Sequence, residues 1–444
     1  MPFVNLFYCL INLAVFSYFF FENSSLGILW CALLNSIYIV YFAYANRRLV
    51  TVYVMLFTMF FIVPSIIFND ERYLFSGALF KNIHLSFDQV LTLCSSVYLS
   101  TIAFVFTLIL TPYKEVALYR ELKYDLKNKQ IFLILLFSFF SITTSFNLYE
   151  FKVMLAEGYV AIVSGESSVQ KSLAFVLIEY SFISLACCGV YLKHRTSMLL
   201  LLFYFMSIII IGQRIPSFLA IITILLYFSR ARFIDFRILH GFGFFIAIPL
   251  LQYLAAVRVY GSEALDYFDI AGSYIDLFRV TGFTQDTLKA AISYSGEFPV
   301  NIDPLDKVNQ IIRVIQARVV DFGIDTPSTG FGANFSKQLS PELFFGGTTF
   351  ASSSIAESYY YGGIGFIFLT SVVFIFLLIK SESFINNGSF YSVVYAVVVI
   401  PKLLGSVRNE LFGWVFEVLV FSAIIIPFVF LTKELFLRKN SVVT

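Results

Sequence analysis

Charge and histidine are scarce in this sequence, and each shortage excludes something. Of 444 residues, Lys and Arg number 30, Asp and Glu 28, and His 3. With 59% of residues hydrophobic and a mean hydropathy of +0.85, a soluble fold cannot hide the apolar surface, so the chain reads as a polytopic membrane protein. The net charge of +2 is too small to grip a phosphate backbone, which excludes nucleic acid as a partner. His84, His194 and His240 all fall outside residues 257–357, the one long polar stretch, and that stretch has no Asp-x-Asp. No metal site and no cofactor are therefore implied, although Asp266, Asp269, Asp303 and Asp306 remain oxygen ligands that folding could gather. No nucleotide-binding signature is present. Cys9, Cys31, Cys94, Cys187 and Cys188 lie in hydrophobic stretches, so no disulfide framework holds the polar segment. The adjacent pair Cys187-Cys188 lacks metal-ligand spacing and reads as packing.

What is present is apolar length. About twelve stretches reach the roughly 20 residues that a bilayer requires. They lie at residues 4–21, 26–45, 49–68, 90–111, 131–148, 173–192, 197–213, 215–229, 238–256, 360–379, 388–406 and 412–432. The first lacks a basic leader and a small-residue cleavage site, so it reads as a retained span. The 55 Phe and 27 Tyr suit lipid-facing and interfacial positions better than a cofactor pocket. The fold class is all-α, and no internal repeat is visible.

Lys and Arg in the short connections set the orientation. Arg47-Arg48, residues 113–130, Lys193/Arg195, Arg230/Arg232/Arg237, Lys380 and the tail Lys433, Arg438, Lys439 share one side. Residues 22–25, 69–89 and 149–172, on the other side, are neutral or slightly acidic. Both termini are thus expected in the cytoplasm, with the long segment outside. The chain divides into a span bundle (1–256), a large outer loop (257–359) and three closing spans with a tail (360–444).

Within the loop, apolar residues at three- and four-residue spacing predict amphipathic helices over 263–283 and 305–322, followed by turn-rich runs at 323–334 and 344–354. A loop of that length between spans is functional more often than a spacer. Residues 149–172 read equally as an interfacial amphipathic piece or a solvated connection.

Ionisable residues at membrane depth are costly. Arg214, Arg258, Arg279, Lys402 and Arg408 all project toward the outer interface, and Arg313 and Arg318 follow in the loop. Taken singly, each fits a snorkelling anchor. Together they fit one anionic site, since guanidinium forks match phosphate oxygens and stabilise a departing diphosphate. For acid–base work the candidates are Glu357, Glu410, Asp276 and Glu417. Burial would raise the Glu357 carboxyl toward useful values, whereas an ion pair with Arg408 also explains Glu410. Glu179 and Glu417, inside spans, suit bonds between helices.

Four local patterns carry a resemblance: Gln213-Arg214 between spans, Arg258-Val259-Tyr260-Gly261 leaving the ninth, Ser354-Ile355-Ala356-Glu357 with Tyr359, Gly362 and Gly365, and Arg408-Asn409-Glu410. In these, and in architecture over nearly its whole length, the chain resembles the Wzy-type O-antigen (oligosaccharide repeat-unit) polymerases. The resemblance implies a GT-C-like helical fold in the inner membrane and glycosyl transfer at its periplasmic face. It implies undecaprenyl-diphosphate-linked oligosaccharides as donor and acceptor, the bilayer as environment, and a chain-length-determinant membrane protein as partner. Catalysis would fall to Glu357, Glu410 and Arg408, with the remaining cations binding diphosphate. An O-antigen ligase has similar architecture, but ligases resemble each other in a loop histidine that this loop lacks. A flippase would favour short loops and internal repeats.

Overall fold

The computed structural model describes residues 2–43, 47–67, 85–111, 124–157, 173–211, 214–230, parts of 249–270, 272–294, 353–386, 388–408 and 411–439. The first four spans are α1 (Pro2–Phe21), α2 (Ser25–Ala43), α3 (Arg48–Phe57) continued through a π-turn (Thr58–Ile62) into α4 (Val63–Ile67), and α5 (Phe87–Leu110). Then come β1 (Tyr124–Leu126), α6 (Lys129–Glu157), α7 (Leu173–Tyr191), α8 (Arg195–Ile210) and α9 (Arg214–Arg230). After them stand α10 (Gly272–Ser293), α11 (Ser354–Asn386), α12 (Phe390–Val398), α13 (Ile400–Gly405), α14 (Leu411–Phe436) and β2 (Leu437–Lys439). Helices occupy the places of the drawn spans except the ninth, most of which lies outside the described residues. Among the described residues, 6 helices are long and apolar enough to cross a membrane: 25–43, 48–67, 87–110, 129–153, 174–191 and 354–386.

Lipid cannot drive apolar helices together, so small and polar side chains join them. Asn35, fully buried on α2, donates to Thr101 of α5 at 3.1 Å and accepts from Tyr8 of α1 at 3.0 Å. Asn147 of α6 donates to Ser207 of α8 at 2.8 Å, and Ser184 of α7 to Thr432 of α14 at 2.9 Å. Glu179 accepts from Tyr204 across α7 and α8, a bond between neighbouring helices as its place in a span suggested. Cys187 and Cys188 are fully buried packing residues. Outward-facing Phe21, Tyr41 and Phe203 are exposed, as lipid-facing side chains are.

One end of the bundle gathers the basic connections. Arg47 donates to Thr111 Oγ1 at 3.0 Å, and the Arg48 amide donates to Glu382 Oε1 at 2.8 Å. There β1 pairs antiparallel with β2, setting Tyr124 opposite Lys439 and Asp125 opposite Arg438. Neither strand was anticipated: three residues carry too little periodicity to register, and only the meeting of a connection with the tail creates the pair. At the far side of α6 the helix runs on to Glu157, so residues 149–157 continue a span; residues 158–172 lie outside the described residues.

Two features depart further from the sequence reading. The first loop helix occupies Gly272–Ser293 instead of 263–283. Asp269 sets its start, accepting from the Gly272 amide at 2.8 Å. Its last turns bury Leu288, Ala290, Ala291 and Ile292 in the main core, so this half belongs to the bundle and packs on α4, α5 and α11. The second predicted loop helix, 305–322, and the turn-rich runs lie outside the described residues, save Ser353 and Ser354.

The second departure is α11. Ser358 and Thr370 hydroxyls meet at 2.9 Å although 12 residues separate them. A straight helix would hold them about 18 Å apart. The chain reverses at Gly362 and Gly363, where Gly363 adopts φ 62, ψ -156. A short arm, residues 354–361, thus folds back along a long arm, residues 364–386. The long arm by itself spans roughly 34 Å, enough to cross a bilayer. The sequence reading treated Tyr360 onward as a simple span; the glycine pair makes it a helical hairpin.

Candidate active site

The short arm is where a buried carboxylate meets the broken helix that carries the basic candidates. Ser353 caps the arm, its Oγ accepting from the Ala356 amide at 3.1 Å. The Ser354 amide donates to the Ser406 carbonyl at 3.3 Å, joining the arm to the turn after α13. Tyr53 of α3 stacks its ring on Phe374 of the long arm at 6.2 Å. Glu357, one turn further, is 3% exposed among Ser354 and Ser358. The reversal at Gly363 thus folds Glu357 inside the bundle instead of leaving it at the head of a straight span.

The apolar run 390–405 breaks at Val399, and Pro401, which has no N–H to donate, opens α13. This break places half-buried Lys402 in the last turn of α13 and Arg408 just beyond, its amide donating to the Gly405 carbonyl at 2.9 Å. Arg214 is the first residue of α9, which packs on α13, and Arg279 lies within α10, which packs on α11. For these two, and for Asp276 and Glu417, only the helix position is described. Arg258, Arg313, Arg318 and Glu410 lie outside the described residues. The elements bearing Arg214, Lys402, Arg408, Glu357 and Arg279 are thus linked in one chain of packed helices. Among the described residues no group of three His, Cys, Asp or Glu could hold a metal ion.

Sequence reasoning passed over the polar end of α10. Gln285, 2% exposed, sits in the π-turn of the third span. Val63, one residue past that turn, donates to the Thr58 carbonyl, five residues back. The Gln285 amide donates to the Phe61 carbonyl and to Ser65 Oγ at 2.8 Å. Beside it Lys289 and Asp286 form an ion pair at 2.8 Å with side chains 8% and 7% exposed. Burial holds the Asp286 carboxyl above its usual range, and Lys289 offsets only part of that rise. Carrying the helical period past Phe283 would have exposed this pair, since Asp286 and Lys289 are an i, i+3 match. The bonds of Gln285 lead to a stability prediction. Gln285→Leu should destabilise the protein by about 1–3 kcal/mol, because buried polar atoms lose their partner. Thermal unfolding in detergent checks it, and an unchanged midpoint would refute it.

A family model described as O-antigen polysaccharide polymerase Wzy matches residues 3–440. The chain belongs to that family. Wzy membership places it in polymerisation during O-antigen synthesis, and with the apolar helices it places the chain in the inner membrane. No curated protein and no solved structure matches the chain.

Proposed function

We propose that this Wzy-family chain transfers a growing saccharide from undecaprenyl diphosphate to the non-reducing end of a fresh lipid-linked repeat unit, at the periplasmic face of the inner membrane. The observation that carries the reading is Glu357, buried on an arm hydrogen-bonded to the turn that leads to Arg408. Arg408, Arg214, Arg258, Lys402, Arg279, Arg313 and Arg318 hold the donor diphosphate, whose charge grows as its bond to carbon breaks. Glu357 and Glu410 serve the acceptor side of the same site. Donor and acceptor both arrive through the bilayer that holds the spans of 1–256 and 360–444 on either side of the outer segment 257–359. A chain-length-determinant membrane protein is the partner that would set how often the cycle repeats.

The lipopolysaccharide ladder of a deletion strain tests this. A core capped with single repeats is the expected pattern; bare core would point to ligase or flippase instead. The absence of histidine from residues 257–357 favours polymerase over ligase. Orientation rests on the basic connections gathered at one end. A periplasm-active reporter fused near Asn301 should be active, and one near Lys123 silent. The reverse pattern would turn the site to the wrong side of the membrane.

A further inference from the structure

We propose that Asp286, paired with Lys289, is a catalytic base of this polymerase; the inference rests on the polymerase reading above. A buried ion pair is an expensive way to hold a helix, because desolvating both charges offsets their attraction. Apolar side chains at 286 and 289 would pack α10 at no such cost. The pair stands instead in the part of α10 that enters the core, next to the helix hairpin bearing Glu357. Gln285 fixes its place by gripping the π-turn, and π-turns inside helices recur at functional sites. Lys289 holds Oδ1 at 2.8 Å. A cation already neutralised by an aspartate is a poor diphosphate ligand, so the carboxylate is the reactive member.

The step balances without a co-reactant. Asp286 takes the acceptor hydroxyl proton while that oxygen's electron pair forms the new bond to the anomeric carbon. The old bond from that carbon to the diphosphate oxygen breaks, and its electron pair leaves with the diphosphate. Asp286 afterwards releases the proton to water.

Purified protein and lipid-linked repeat units test the assignment. Asp286→Asn alone strands a buried Lys289, so the informative variant is the double change Asp286→Leu with Lys289→Met, which removes both charges and keeps the packing. It should retain the wild-type thermal midpoint while kcat falls about a hundredfold or more. A double variant that folds and polymerises normally overturns the inference and leaves the pair structural. So does one whose loss lies in KM with kcat intact. Lys289→Met gives an independent arm. Without its cation the carboxylate binds its proton more tightly, so the acidic limb of kcat should move to higher pH. Of the elements against α10, residues 58–67 carry no ionisable group. α5 brings Asp88, Cys94 and Tyr98, and α11 brings Glu357, Tyr359, Tyr360, Tyr361, Lys380 and Glu382. An acidic limb that ignores Lys289→Met but vanishes in Glu357→Gln assigns the base to Glu357 and sinks this inference alone. Wild-type protein that fails to extend lipid-linked units sinks the polymerase reading itself.

Discussion

Arg408→Lys should lower the polymerisation rate about a hundredfold while the protein accumulates normally, a loss of roughly 2–3 kcal/mol in the barrier. The size of the effect follows from what lysine keeps and what it lacks. Both side chains carry one positive charge on a long stem, and either can anchor a helix end at the interface. Only arginine presents a planar fork that meets two phosphate oxygens at once, and that geometry matters most where water is excluded. Arg408 stands at the end of a helix broken at Val399 and is only half exposed, one turn from the contact between Ser406 and the Glu357 arm. Arg258, which the sequence pattern puts at the exit from the ninth apolar stretch, should behave similarly, and Arg214 should follow with a smaller loss. The measurement is extension of lipid-linked repeats by purified protein, with membrane levels followed by immunoblot. Near-wild-type polymer from all three lysine variants would show that these residues are anchors and that the diphosphate is held elsewhere.

Gly363→Ala should cost about 1–3 kcal/mol of stability, because φ 62 with ψ -156 is a backbone region that glycine alone occupies readily. The source of the loss is unusually clean. A Cβ at Gly363 would meet nothing within 4 Å, so the penalty is conformational and not a clash. Gly362 is the contrast, since a Cβ there would lie 2.6 Å from Phe366 Cβ. Gly365 has open space and no positive φ, which makes Gly365→Ala the control that should change little. Relief of the strain at Gly363 would open the hairpin, separating Ser358 from Thr370 and drawing the Ser354 amide from Ser406. Activity should therefore fall further than stability, since Glu357 rides on the arm that moves. Equal thermal midpoints for the Gly363 and Gly365 variants would contradict the reversal.

These residues mark how far the sequence could be read. Helices were legible because membrane spans announce themselves by length and hydropathy, and each needs only its own residues to satisfy its backbone. The shared side of Arg47, Arg48, Lys127 and Lys433 was legible for the same local reason. Arg408 and Glu357 were singled out because ionisable groups near spans are costly and rare. The Gly362-Gly363 pair was visible as composition but not as a reversal, because glycine permits many conformations and neighbours select one. Asp286 and Lys289 were missed because an i, i+3 pair of charges is ordinary on a solvated helix. Their meaning came only from the core that surrounds them.

The sequence by itself determined the membrane environment, the helical class and the one-sided basic connections. Each depends on local hydropathy or charge, quantities fixed residue by residue. Only the tertiary structure decided that Glu357 lies inside the bundle, that the second half of α10 belongs to the core, and that Gln285 grips the third span across 220 residues of sequence. Those outcomes depend on which distant groups can satisfy a buried carbonyl, hydroxyl or carboxylate. Hydrogen-bonding demand in a water-free interior is met by whatever folding brings near, and a linear pattern does not name the partner.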